Sequence, residues 1–497
     1  MPVSNSSKVE LDSKRGLRGS SLILLSKNGF IIASYGIYFG LSRILGVEGF
    51  GQLGLVTAAV TVINMCFIRG TLQSVSKFVS EDPGQADAVK AGALKIQFWL
   101  GGGSFAFFFA GSPAIANLLH SPELCPYLRI SSFIILFYSF YAVFIGVLNG
   151  RKEFARQATF DIFYSVLKMS LMLILAFYLG VRGAITGFAA AAGGVLLGSA
   201  LVVGLKRPKV SFPIRKILRF SLPVMVLTFV LYLTMNLDLF MLKRLTAASE
   251  SARYAGWYTA DLTFARLPFM IVVSALTLVI FPFISQATFS ADREKTARYI
   301  RQGMRFTYLI MVLGTVLIAS SPRATLGLLY RPDYAGGAAA LPWISGGYLF
   351  FALLMMSLTI ISGSGKPHHS LVLTIVVFIV QFIALTILIP RYGILGAAGG
   401  SALAFLFGAV LGGIYLSQRL GAFMKISAFL KITLAGLIVA LLSQLVPSAG
   451  LGLLAKNIAL AFIFAMILIG LKEVGKRDWE ILLATLPFKI GKGEKKG

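Results

Sequence analysis

Seven ionisable residues fall inside stretches of the chain that are otherwise apolar: Lys27, Arg43, Arg69, Lys168, Asp238, Asp261 and Arg266. An ion in a membrane-crossing segment is costly and persists where it faces a cavity, a partner or a substrate, so each is a candidate for function. Arginine offers a fork of donors that grips phosphate at two points, and lysine offers a compact charge. Lys27, Arg43, Lys168 and Arg266 are therefore the set from which a cationic substrate site would be built. Asp238 and Asp261 are the candidates for ion coupling, or else partners of Lys243, Arg266 or Arg43 in structural ion pairs.

Each candidate has a plainer reading beside it. Lys27 lies near one end of its segment, where a long side chain reaches the interface. Arg43 lies near the other end, where it can pin a turn. About four and a half helical turns separate the two, so they face one site only if the helix bends near Gly36 or Gly40. Lys168 is about ten residues into its segment, where snorkelling is harder and a cavity-facing role is favoured. Arg69 stays outside the site because its segment is poorly bounded. Asn236, two residues before Asp238, falls on a different face of a regular helix. Tyr232, Tyr254, Trp257 and Tyr258 could stack on sugars, but aromatic residues gather at membrane interfaces, and the belt reading is preferred. His120, His368 and His369 fall in loops on opposite sides of the membrane, and Cys66 and Cys125 follow no metal spacing. No metal or other cofactor is expected. The runs Gly101–Gly103, Gly193–Gly194 and Gly412–Gly413 lack the Lys-Ser/Thr of a phosphate loop and suit close helix packing.

The elements that must position these residues are membrane helices. Of 497 residues 57% are hydrophobic and only 13% charged, against roughly 25% charged in a soluble domain. The apolar runs are long and continuous, unlike the short alternating strands of a barrel. About fourteen spans are expected, starting near Leu22, Leu53, Ile96, Arg129, Thr159, Gly183, Ser221, Trp257, Phe306, Ala340, Leu371, Ile394, Ile426 and Leu451. The net charge of +27 is a matter of topology. Roughly 32 of the 46 basic residues fall in alternate loops on one side, which places both termini in the cytoplasm. Anionic lipid, not nucleic acid, is the partner that this charge implies. Pro213–Phe220 alternates basic and apolar residues as a helix lying in the interface would, and Pro223 is expected in the first turn of the span that follows.

The sequence also repeats. LNGRKEF at Leu148, a long span, and YLGVRGAITGFAAAAGG are matched by SGSGKPHHS at Ser362, a span, and IPRYGILGAAGG. About six spans per copy return the chain to the same side, so the copies are parallel repeats, the arrangement that alternating access requires. The expected plan is an all-α polytopic membrane protein. It comprises a cytoplasmic tail (1–20), an N-lobe of helices 1–6 (21–207), a pseudo-symmetric C-lobe of helices 7–12 opening on the amphipathic segment (208–421), two extra helices (422–472) and a basic tail (473–497).

Residues 22–421 resemble the polysaccharide-export and O-antigen-type flippases of the multidrug/oligosaccharidyl-lipid/polysaccharide superfamily. SRILGVEGFGQLGLV carries the family's opening at Arg43, Leu45, Gly46, Phe50 and Gly51. Its second-half counterpart falls on Asp238, Tyr254, Gly256, Tyr258, Pro268, Phe281 and Pro282. LYRPDYAGGAAAL, GSGKP and IPRYGILGAA are of the same type. The resemblance implies a transporter, not an enzyme, in the cell membrane. It would carry a polyprenyl-diphosphate-linked oligosaccharide from the inner to the outer leaflet by alternating access through a cationic central cavity. Expected partners are that lipid-linked glycan, anionic lipids and other polysaccharide-biosynthesis proteins. Coupling to a proton or sodium gradient, or to the membrane potential, fits the same scheme. The competing reading is a cation-coupled multidrug or small-molecule antiporter of the same superfamily. A membrane glycosyltransferase or polymerase would need clustered carboxylates, a metal site or a long catalytic loop.

Overall fold

In the computed structural model every element of the described residues is helical. It describes the backbone of residues 5–206, 208, 210–289 and 292–475, and side chains for 32–206, 208, 210–271 and 292–475. The chain forms two compact units, residues 1–233 and 234–497. The first holds α1 (Asn5–Glu81), α2 (Ala86–Leu118), α3 (Cys125–Gly150), α4 (Phe154–Val203) and α5 (Ile214–Thr234). The second holds α6 (Leu237–Leu245), α7 (Ala248–Phe289), α8 (Arg293–Ala319), α9 (Pro322–Leu329), a tight turn at Pro332–Gly337, α10 (Leu341–Gly363), α11 (Pro367–Leu420), α12 (Ile426–Leu445) and α13 (Leu451–Gly470).

Three helices, α1, α4 and α11, are long because each contains two spans joined without a loop. The joints are Gly46, Gly180 and Gly393, each at positive φ (66°, 59° and 54°), a conformation that costs glycine least. Among the described residues ten helices are long and apolar enough to cross a membrane, and α1, α4 and α11 among them each carry two arms.

The reversals close into tight hairpins because glycine also lines the facing arms. A Cβ on Gly183 would run into the Leu175 carbonyl oxygen, and one on Gly187 would lie 2.5 Å from that of Leu171. In the second unit a Cβ on Gly396 would run into the Leu388 carbonyl, one on Gly400 would meet Leu385, and one on Gly408 would meet Val377. The repeat read from sequence is thus one hairpin built twice, about Gly180 and about Gly393. Gly193, Gly194, Gly412 and Gly413 face neighbouring side chains in the same way, whereas Gly102 and Gly103 face open space.

Gly36 and Gly40 do not bend α1, whose one non-helical residue is Gly46. They let α1 approach α4, Gly36 against Met169 and Gly40 against Leu173, so those two arms run parallel. The amphipathic segment is the first two turns of α5 and not a separate helix, because Ile217 is buried with Val75, Val89 and Val143 in a core of the first unit. Pro223 consequently lies in the third turn of α5, where Gly70 packs against the neighbouring Met225. In the second unit the last two helices are tied to α8 and its flank. Tyr308 hydrogen-bonds Thr433, Lys456 Nζ donates to Ser321 Oγ, and Glu473 bridges Arg305 and Lys431.

Gly183→Ala and Gly396→Ala should each cost about 1–3 kcal/mol, since the added methyl meets backbone that can only move by opening the hairpin. Gly399→Ala, which meets nothing, should be neutral or slightly stabilising. Thermal unfolding of the detergent-solubilised protein measures the difference.

Candidate functional site

The first unit brings one of the expected cations into an aromatic setting. Lys168 projects from the first arm of α4, and Phe188 and Tyr164 come from the two arms of that hairpin. The Lys168 ammonium is 3.9 Å from the Phe188 ring centroid and 5.9 Å from that of Tyr164, contacts that favour a cation without neutralising it. Tyr164 sits edge-on to Tyr138 of α3 at 5.5 Å, and Tyr138 edge-on to Tyr141 at 5.8 Å. The Tyr141 hydroxyl is buried with no hydrogen-bond partner among the described residues. Asp161, two turns before Lys168, has partners of its own, and no ion pair joins it to Lys168 among the described side chains. Tyr138 and Tyr141 stand three apart on α3, and Tyr164 and Lys168 four apart on α4, so each pair shares a helix face. That spacing is visible in the sequence. That the two faces meet is not.

Arg43 lies at the end of the first arm of α1, exposed, with its guanidinium 4.2 Å from the centroid of the Phe39 ring. Lys27 falls outside the residues whose side chains are described. Arg69 is exposed on the second arm of α1.

The second unit gathers the other candidates around a broken helix. α5 ends at Thr234 and α6 begins at Leu237, leaving Met235 and Asn236 out of helical register although both are buried. A break buried in protein frees backbone groups that no bulk water reaches, so protein must satisfy them. Arg266 of α7 does: Nη2 donates to the Met235 carbonyl at 2.5 Å and to Asn236 Oδ1 at 3.2 Å, while Nε donates to Tyr348 Oη at 2.5 Å. Asn236 and the Met235 carbonyl thus share the Arg266 guanidinium.

Asp238 lies in the first turn of α6, where the free N–H groups favour a carboxylate. It accepts from the Leu239 N–H at 2.9 Å, the Tyr258 hydroxyl at 2.7 Å and the Ser401 hydroxyl at 3.3 Å, and Gln381 Nε2 donates to Ser401 at 2.9 Å. Tyr258 is fully buried, so it is a core ligand of Asp238 rather than an interfacial belt residue. Trp257 points elsewhere and donates to the Asp333 carbonyl at 2.8 Å. Lys243 is buried and donates to Ser251 Oγ at 2.9 Å. Asp261 is fully buried, one helical turn beyond Trp257.

Gln381 precedes the reversal at Gly393 by the same number of residues as Lys168 precedes Gly180, and Ser401 follows it as Phe188 does. The contact between facing arms of the hairpin is thus lysine over phenylalanine in one unit and glutamine to serine in the other.

A family model described as polysaccharide biosynthesis protein matches residues 17–288. Among curated relatives, the chain is 25% identical over 345 residues to the uncharacterized membrane protein YabM of Bacillus subtilis, and 25% identical over 315 residues to the succinoglycan biosynthesis transport protein ExoT of Rhizobium meliloti. The matches cover 63% and 61% of this chain, and 63% and 60% of those two proteins. Among solved structures, the lipid II flippase MurJ superposes with a TM-score of 0.71 at 16% identity, over 91% of this chain and 98% of that one. A multidrug-resistance MATE transporter of the MOP superfamily gives 0.67 at 18% identity, over 79% and 94%. At these identities the structures share the fold.

Tyr258→Phe and Asp238→Asn should each destabilise the second unit. A double-mutant cycle should return a coupling of about 1.5–3 kcal/mol, the range for a hydrogen bond to a charged group. Urea unfolding in mild detergent, followed by tryptophan fluorescence, measures it.

Proposed function

The chain belongs to the polysaccharide biosynthesis protein family, and on that premise we propose that it moves a polyprenyl-diphosphate-linked oligosaccharide from the inner to the outer leaflet. The observation that carries this reading is Lys168: a cation within a membrane span, held by the faces of Phe188 and Tyr164 and by no counter-ion among the described residues. Such a charge lacks a negative partner, and a diphosphate supplies one. The Tyr141 hydroxyl, buried and unpartnered in the same cluster, offers a hydrogen bond to a phosphate or sugar oxygen. The aromatic faces of Tyr138 and Tyr164 suit the apolar faces of sugar rings. Arg43, exposed near the end of its span, is the second phosphate contact, and Lys27 is retained as a third. Arg266 acts as a positioning residue through the backbone of the broken helix. Both termini face the cytoplasm, the membrane is the cell membrane, and transport proceeds by alternating access with no covalent chemistry.

The succinoglycan transport protein ExoT and the lipid II flippase MurJ support a lipid-linked glycan as cargo. The buried carboxylates Asp238 and Asp261 keep the antiporter reading in play, since a cation exporter would need acidic groups. They lie in the second unit, and Lys168 weighs against a cationic cargo at the site described.

In liposomes carrying a polyprenyl-diphosphate-linked sugar, the wild-type protein should move it between leaflets. Lys168→Ala should lower the rate at subsaturating substrate by about 10–100-fold, the value of one charge-assisted hydrogen bond, and Lys168→Arg should restore part of it. Unchanged transport in a folded Lys168→Ala protein would remove the cationic site. Efflux of a soluble organic cation without lipid movement would favour the antiporter.

A further inference from the structure

Asp261 lies in the second unit with no exposed surface, and neither carboxyl oxygen has a hydrogen-bond partner among the described residues. It differs in this from Asp238, whose oxygens accept from a tyrosine, a serine and a backbone N–H. What covers Asp261 is the turn Pro332–Gly337. A Cβ on Gly337 would lie 2.8 Å from Asp261 Oδ2 and 3.0 Å from Trp257 Cβ, and one on Gly336 would run into the Trp257 ring. The two glycines thus let the turn lie flat on α7 above the carboxyl. The turn is held there by the Trp257 Nε1–H bond to the Asp333 carbonyl at 2.8 Å, and by Tyr334, buried and packed on Tyr330 with ring centroids 4.9 Å apart.

A carboxylate ion in this place would be stripped of water with nothing to replace it, which costs several kcal/mol. Among the described residues, the charged and titratable groups of the neighbouring elements are engaged elsewhere or exposed. On the turn, the Asp333 side chain is exposed. On α6, Asp238 is occupied by Tyr258 and Ser401, and Lys243 by Ser251. On α7 and α10, Arg266 and Tyr348 bond each other at the helix break. On α8, Arg305 pairs with Glu473 and Tyr308 with Thr433, and on α9 Arg323 is exposed.

We propose that Asp261 is a proton-carrying site, occupied and closed by the Pro332–Gly337 strap in this conformation, and that lifting the strap opens it to exchange with water. The ligand is a single proton: it converts the carboxylate to the neutral acid when the strap closes, and leaves to water when the strap lifts. The coupling of this proton to transport rests on the flippase reading above, whereas its presence on Asp261 does not.

The test is infrared spectroscopy of the full-length protein in vesicles, followed by flipping measurements on the same samples. At neutral pH the wild type should show a protonated-carboxyl C=O band that is absent in Asp261→Asn and exchanges slowly in deuterated water. Trp257→Phe removes the strap's hydrogen bond while leaving the carboxyl in place, and should hasten that exchange at least tenfold. An imposed pH gradient should speed flipping by the wild type but not by Asp261→Asn. One coupled proton changes the equilibrium distribution about tenfold per pH unit. Absence of the band in the wild type, or its persistence in Asp261→Asn, would overturn the proton site. So would exchange indifferent to Trp257→Phe, as regards the strap. The predicted band with no lipid movement in any sample would instead overturn the flippase reading and leave the proton on Asp261.

Discussion

In hydrocarbon, every polar group must find its partner inside the protein, and the whole architecture answers to that constraint. Reversal of α1, α4 and α11 at single glycines removes loops that would otherwise carry unpaired backbone. Where α5 and α6 separate inside buried protein, the guanidinium of Arg266 satisfies the freed Met235 carbonyl, and Tyr258 and Ser401 satisfy Asp238. Against this background the few groups left without partners acquire meaning. Among the described residues, Lys168 has aromatic faces but no anion, and neither the Tyr141 hydroxyl nor the Asp261 carboxyl has a hydrogen-bond partner.

The duplicated hairpin shows how one scaffold takes on two chemistries. In each unit a glycine reversal and its facing glycines bring the two arms so close that one residue before the turn touches one after it. In the first unit those residues are Lys168 and Phe188, which leave a positive charge available. In the second they are Gln381 and Ser401, which extend a hydrogen-bond chain to Asp238. The backbone device is common to both copies, while the charge it presents is set by side chains at equivalent positions.

The fold was largely legible in sequence because hydropathy, loop charge and the paired IPRYG and YLGVRG turns all report on long-range architecture through local composition. The position of Lys168 within a long apolar segment is legible for a related reason, since distance from the segment's ends can be counted. The break at Met235–Asn236 was not, because no proline or glycine marks it and its stability comes from Arg266, thirty residues away. Nor was the tyrosine cluster, which forms only where a face of α3 meets a face of α4. Tyr258 was read as an interfacial residue because composition cannot say which way a tyrosine points. Its hydrogen bond to Asp238 decides the matter.

The central claim is that the Lys168 ammonium is left unpaired so that a phosphate can pair with it. Nitrogen NMR of lysine-labelled protein in bilayers reports on that ammonium directly, with its resonance assigned by its loss in Lys168→Arg. Adding a polyprenyl diphosphate should shift the Lys168 signal, and an uncharged polyprenol of the same length should leave it in place. A signal that ignores the diphosphate, or that responds equally to both lipids, would contradict the account.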